Sequence, residues 1–160
     1  MAFYPIQIQV IAVGKLRQAF WQTAAQEYLE RLRHYAAVEI REVRDVIGRG
    51  KSEKEATENE AREISNLLQP QAWKVVLDKN GKQFSSEEVA AILKKEIENG
   101  RRQCQFVIGG PAGLASSLIK ESNLRLSFSE MTFPHEMARV VLLEQLYRAF
   151  TILRGEKYHK

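Results

Sequence analysis

The chain has 160 residues, 44% of them hydrophobic and 28% charged, which fits one globular domain over residues 1–160 and excludes both a disordered chain and two ordinary domains. A net charge of +4 is compatible with a polyanionic partner without requiring one. The lone cysteine, Cys104, excludes an intramolecular disulfide and lies in an apolar run, so a buried, reduced thiol in a cytoplasmic protein is expected.

The opening stretch MAFYPIQIQVIAVGK has no basic leader, and glutamines interrupt its apolar run, so a signal peptide is not expected. No apolar run approaches the ~18 residues of a membrane span. Residues 6–13 are rich in β-branched side chains and end at Gly14, which predicts a buried first strand. Phe20, Trp21, Ala24, Tyr28, Leu29, Leu32 and Tyr35 recur at helical spacing over 18–35. A short strand over 38–43 is followed by a loop with Gly48 and Gly50. Ser52 with Glu55 forms a capping-box pattern opening an acidic helix that ends near Leu68.

A strand over 73–77 is then closed by the turn residues Asp78-Lys79-Asn80-Gly81. Ser85 with Glu88 repeats the capping pattern for a helix running to Asn99 and stopped by Gly100. Residues 104–108 form a strand that enters Gly109-Gly110-Pro111-Ala112-Gly113 directly. A short helix over 116–122, a strand over 124–128 and a long helix over 136–153 complete the chain. Strands alternating with helices predict an α/β domain with a mainly parallel sheet flanked by helices.

Three stretches stand out. The strand-glycine junction FVIGGPAGL is either a ligand loop, since ligands collect beyond the carboxyl ends of strands, or a plain tight turn. The apolar connection 128–135 either lines a pocket or sends Met131 and Phe133 into the core. The long helix is apolar around much of its circumference, through Met137, Val140, Val141, Leu142, Leu143, Leu146, Tyr147, Phe150 and Leu153. It therefore predicts a central position or a subunit interface. On it, Glu144 and Arg148 are spaced for an ordinary intrahelical ion pair.

Charge is uneven. Residues 139–160 hold five basic side chains (Arg139, Arg148, Arg154, Lys157, Lys160) against two acids, whereas 52–63 is acidic. His34, His135 and His159 are isolated, so no metal site is expected, and two aspartates leave little room for a Ser-His-Asp triad.

Together these stretches resemble the ribosomal RNA large subunit methyltransferase H family, within the SPOUT superfamily of knotted methyltransferases. The likeness runs through IAVGK (11–15), LDKNGKQFSSEEVA (77–90), FVIGGPAGL (106–114), LSFSEMTFPHEMARVVLLEQLYRAF (126–150) and RGEKYHK (154–160). Residues 1–5 extend beyond the family's usual start, and 52–63 match it least.

The resemblance implies a C-terminal part threaded into a deep trefoil knot, a homodimer, and methylation of N3 of a pseudouridine in helix 69 of 23S rRNA in the ribosome. S-adenosylmethionine would be the methyl donor. Its contacts map onto Leu77, Gly109, Phe128, Ser129, Glu130, Met131, Thr132 and Phe133, and candidates for catalysis are Glu144, Arg148, Arg154, Tyr158 and His159, with no one of them singled out as the base. Arg139, Arg154, Lys157 and Lys160 suit phosphate contacts, and Tyr158 suits stacking on an extruded base. Two other classes share parts of the pattern: a non-enzymatic ribosome-binding protein shares the basic tail, and a flavin- or nucleotide-binding α/β protein shares the strand-glycine junction.

Overall fold

A computed structural model describes residues 2–159. Five strands and five helices alternate: β1 (Gln7–Val13), α1 (Ala19–Leu32), β2 (Ala37–Val43), α2 (Glu53–Leu67), β3 (Trp73–Gln83), α3 (Ser86–Glu98), β4 (Gln103–Ile108), α4 (Ser116–Glu121), β5 (Leu124–Ser127) and α5 (His135–Leu153). Both expected capping boxes form, with Ser52 and Ser85 each accepting from the backbone N–H three residues on while Glu55 and Glu88 reach back. The long helix ends in a Schellman motif. Gly155, at φ +66°, donates its N–H to Ile152 and Glu156 donates to Thr151, at 3.0 and 2.9 Å.

The sheet runs β2-β1-β4-β3-β5 with every pairing parallel, so all carboxyl ends of the strands lie along one edge. Side chains of β1 alternate across it. Ile8, Val10 and Ala12 join the larger core with Phe106, Val75, Leu143, Leu146 and Phe150, while Ile11 and Val13 join Val76, Val107, Ile64 and Leu118 on the opposite face. The central strands are buried on both faces, which is why they read as continuous apolar runs.

The breadth of the apolar surface on α5 is met largely within the chain, because α1 and α3 both pack against this helix. Leu142, Leu143, Leu146, Ala149 and Phe150 are buried, with Phe150 stacked on Tyr35 at 5.7 Å. The half-buried Met137, Val141, Glu144 and Arg148 remain as a stripe at helical spacing.

One expected turn is not a turn. Residues 78–81 carry β3 onward, and Leu126 of β5 is paired with both Leu77 and Lys82. A strand residue has two edges, so β5 lies between the two halves of β3, with 78–81 crossing over it. Glycine at 81 makes the crossing possible, since a Cβ there would lie 2.7 Å from the backbone of Arg125. The Asp78 carboxylate pairs with the Arg125 guanidinium beside the crossing. The turn expected to close the strand at Asp78-Lys79-Asn80-Gly81 is therefore corrected: short-range turn signals carry no information about a second strand that the chain runs past.

Candidate active site

The carboxyl ends of β3, β4 and β5 enclose a cavity of ≈ 690 Å³. Its floor is the junction after β4. Gly110 and Gly113 pair across the loop, Gly113 adopts φ +81°, and Gly109 has no room for a side chain because a Cβ would sit 2.9 Å from the Gly113 backbone. The junction is therefore a tight turn and a cavity wall at once. Gly109 is needed first for the loop to close on itself, and the backbone it exposes to the cavity follows from that.

The opposite wall is the connection from β5 to α5. The Ser127 hydroxyl donates to the Ser129 carbonyl at 3.0 Å, and the Met131 N–H donates to Ser129 Oγ at 3.0 Å, which shapes the loop. Of the eight residues expected to hold a cofactor, Leu77, Gly109, Phe128, Ser129, Met131, Thr132 and Phe133 line the cavity. Glu130 is exposed and is not among the lining residues. Met131 is 76% exposed, so it rims the opening instead of filling the core. Asp78, Lys79 and His135 also line the cavity and were not anticipated. Asp78 and Lys79 were read as turn residues, and a lone histidine carries no spacing signal.

A second cluster lies further along α5. Glu144 Oε1 accepts from Arg148 Nη2 at 2.6 Å and Nε at 3.0 Å and from the Tyr158 hydroxyl at 3.1 Å, while Oε2 accepts from Gln145 at 2.7 Å. Arg148 also stacks over the Tyr158 ring at 4.8 Å, and Tyr147 meets that ring edge-on at 4.6 Å. Burial, with hydrogen bonds to Tyr28 and Glu144, raises the Tyr158 pKa, so its hydroxyl stays a donor near neutral pH. Arg148 Nη1 lies 3.1 Å from His159 Nδ1, and His159 Nε2 lies 2.7 Å from Glu87. A guanidinium only donates, so Nδ1 accepts and Nε2 carries the proton toward Glu87. Glu87, anticipated only as part of a helix start, thus belongs to this cluster.

Of the expected catalytic residues, Glu144, Arg148, Tyr158 and His159 come together and Arg154 does not. Arg154 donates to Glu156 at 2.9 Å and lies over the Phe3 ring at 4.1 Å, while Glu156 accepts from the Tyr35 hydroxyl at 2.6 Å. Arg139 also differs from expectation. Its side chain is 3% exposed and bonds Glu42 and the Gly14 carbonyl, each at 2.9 Å, so it ties α5 to β1 and β2 and is not presented to a phosphate. Lys157 is exposed, and Lys160 lies outside the described residues.

Among the described residues no three His, Cys, Asp or Glu side chains are grouped as metal ligands. No helix among them is long and apolar enough to cross a membrane.

The family model described as predicted SPOUT methyltransferase matches residues 6–159. Solved structures with a similar fold include a probable methyltransferase from Bordetella pertussis Tohama I, at 12% identity and TM-score 0.58, covering 91% of this chain and 95% of that one. A probable methylase family protein from Haemophilus influenzae Rd KW20 aligns at 12% identity and TM-score 0.54, over 99% of this chain and 71% of that one. The putative methyltransferase Lpg2936 from Legionella pneumophila, solved in complex with the bound cofactor SAM, aligns at 13% identity and TM-score 0.51, over 91% of this chain and 67% of that one.

Proposed function

Since the chain belongs to the SPOUT methyltransferase family, we propose that it moves the methyl group of S-adenosylmethionine to N3 of a pseudouridine in helix 69 of 23S rRNA, acting as a homodimer. The observation that carries this reading is the cavity at the carboxyl edge, built from the glycine junction and the 127–133 loop. A site with apolar walls and backbone polar groups, closed by glycines that leave no side chain in the way, suits an adenosine with a flexible charged tail. Leu77, Gly109, Phe128, Ser129, Met131, Thr132 and Phe133 are the residues that would hold it. The crossing of 78–81 over β5 supports the expectation of a threaded, knotted chain.

When bound, S-adenosylmethionine supplies a methyl group already activated on a sulfonium, so the protein's task is to position the nucleophile and stabilise charge. The uracil-like N3 must lose a proton to attack. Glu144 Oε1 accepts from Arg148 and Tyr158, Glu144 Oε2 accepts from Gln145, and His159 Nδ1 accepts from Arg148. This favours a role in stabilising the anionic base through Arg148 and in supporting its plane with Tyr158, the proton leaving to water. Arg154, tied to Glu156 away from this set, serves to hold the tail.

Along α5, Ala138 of the cavity and Glu144 of the cluster are separated by about 9 Å of helix rise. A site using both is most simply completed by a second copy, with the half-buried stripe of Met137 and Val141 at the contact.

The test is single-turnover transfer of labelled methyl from S-adenosylmethionine to purified large ribosomal subunits and whole ribosomes, followed by mapping of the mark. Label on N3 of a helix 69 pseudouridine is expected. Label elsewhere in rRNA would keep the methyltransferase and replace the target, and transfer to neither substrate would remove the ribosomal reading.

A further inference from the structure

The loops after β1 and β2 carry five cations that join no ion pair among the described residues. These are Lys15, Arg17, Arg44, Arg49 and Lys51, all exposed. The one carboxylate in these stretches, Asp45, accepts from the Ile47 N–H at 3.0 Å and so is committed to its own loop. Gly48 and Gly50, at φ +76° and +74°, flank Arg49. A Cβ on either would meet nothing within 4 Å, so these glycines serve the bend and not the packing. The bend leaves Arg49 exposed between them.

The loops adjoin the cavity at two places. The Arg17 backbone N–H donates to the Glu136 carboxylate in the first turn of α5, next to His135 of the cavity wall. A Cβ on Gly110 of the glycine junction would meet Val13, the last residue of β1, at 3.1 Å and Glu60 Oε1 at 3.8 Å, and Glu60 lies near Asp45 and Val46 of the second cationic loop. The Gly14 N–H donates to the Val43 carbonyl at 2.8 Å and joins the two loops to each other. Of the basic residues near the tail, Arg139 pairs with Glu42, Arg148 with Glu144 and Arg154 with Glu156, while Lys157 is exposed and joins no ion pair among the described residues.

Resting on the reading of the chain as an RNA methyltransferase, we propose that Lys15, Arg17, Arg44, Arg49 and Lys51 form the phosphate-gripping surface that lays the RNA across the cavity mouth. Phosphate contacts fix register and orientation without reading sequence, so this surface positions the strand and leaves the choice of base to the cavity and the α5 cluster. Each neutralised phosphate also releases counterions, which makes the surface visible as a salt dependence.

The experiment compares the wild type with a loop variant, Arg44→Ala/Arg49→Ala/Lys51→Ala, and a charge-matched control, Arg33→Ala/Lys95→Ala/Arg102→Ala. The control's three residues are exposed and lie toward the amino ends of the strands, away from the cavity. Binding to purified large ribosomal subunits is followed against salt, with S-adenosylmethionine affinity and melting temperature measured on each protein. The loop variant should lower the slope of log affinity against log salt by about 2 to 3 and weaken binding at ~0.15 M salt at least tenfold. Its cofactor affinity and melting temperature should stay at the wild-type values, and the control should change the slope by less than ~1. A wild-type slope in the loop variant, an equal loss in the control, or a Lys157→Ala variant that alone removes the slope would overturn the assignment. Wild-type protein that binds subunits with no salt dependence, or not at all, would overturn the ribosomal reading and this surface with it.

Discussion

The Tyr158 hydroxyl donates to Glu144 Oε1 over 3.1 Å, which ties the last turn of the chain to the middle of α5. Tyr158 and His159 are both half-buried against this helix. The tail is therefore part of the fold, and removing it whole would mix a stability loss with a catalytic one. Tyr158→Phe separates the two. It keeps the ring beside Tyr147 and under Arg148 and removes only the hydroxyl with its bonds to Glu144 and Tyr28, at a cost of about 1 to 2 kcal/mol in stability. Single-turnover transfer should slow at least ~10-fold, the kinetic equivalent of ~1.4 kcal/mol in the barrier, with cofactor affinity by calorimetry unchanged. Transfer at the full rate would remove the hydroxyl from the mechanism.

Gly109→Ala places a Cβ 2.9 Å from the Gly113 backbone, and the glycine loop must open to admit it. Cofactor affinity should fall by more than ~10-fold while the helical content by circular dichroism stays the same, because the strain is confined to the loop. Gly113→Ala makes a useful comparison. A Cβ there meets nothing, but φ +81° is strained for alanine, so a smaller effect, of about 1 kcal/mol, is expected. Equal affinity for wild type and Gly109→Ala would show the loop to be no part of the site.

Most of the element order was legible because the central strands are continuous apolar runs and two helices announce themselves by capping boxes at Ser52 and Ser85. The cavity was legible too, through FVIGGPAGL and the 128–133 loop, since both follow strands directly. What could not be read was anything that depends on distant partners. Arg139 looks like a surface cation until Glu42 and the Gly14 carbonyl, far away in sequence, are seen to enclose it. Asp78 and Gly81 look like a plain turn until β5 is placed beneath them. A charged or turn residue announces its type locally and its role only through the fold.

The proposed homodimer gives a prediction that distinguishes surface from core on one helix. Leu146 and Phe150, at 1% and 0% exposure, are enclosed by their own chain, so Leu146→Glu should unfold the protein by burying a charge. Val141 is only half-buried and belongs to the outward stripe. Val141→Glu should convert a dimer mass to a monomer mass by light scattering with the circular dichroism spectrum retained. A dimer that survives Val141→Glu would place the contact elsewhere.

Glu60 provides a test through pH. Glu60 is 3% exposed, and its Oε1 has no partner among the described residues. Burial, reinforced by the nearby Asp45 charge, pushes its pKa from 4.5 up to about 7, against a smaller opposing effect of the Val46 hydrogen bond. Between these two values the unfolded chain has released the proton and the folded chain still holds it. Folding therefore takes up a proton in this window, and stability must fall as pH rises from about 4.5 to about 7. The upper bound on the loss is about 3 kcal/mol, complete once the folded group has ionised. Glu60→Gln keeps the shape and an acceptor for Val46 and cannot ionise. Urea denaturation from pH 4 to 8.5 should show the wild type losing stability through this window relative to Glu60→Gln, and the variant should be the more stable of the two at pH 8. Titrations shared by both proteins cancel in the difference between the curves. Parallel curves across the window would show that the carboxyl is solvated in the folded chain and that its burial between α2 and the glycine loop is not maintained in solution.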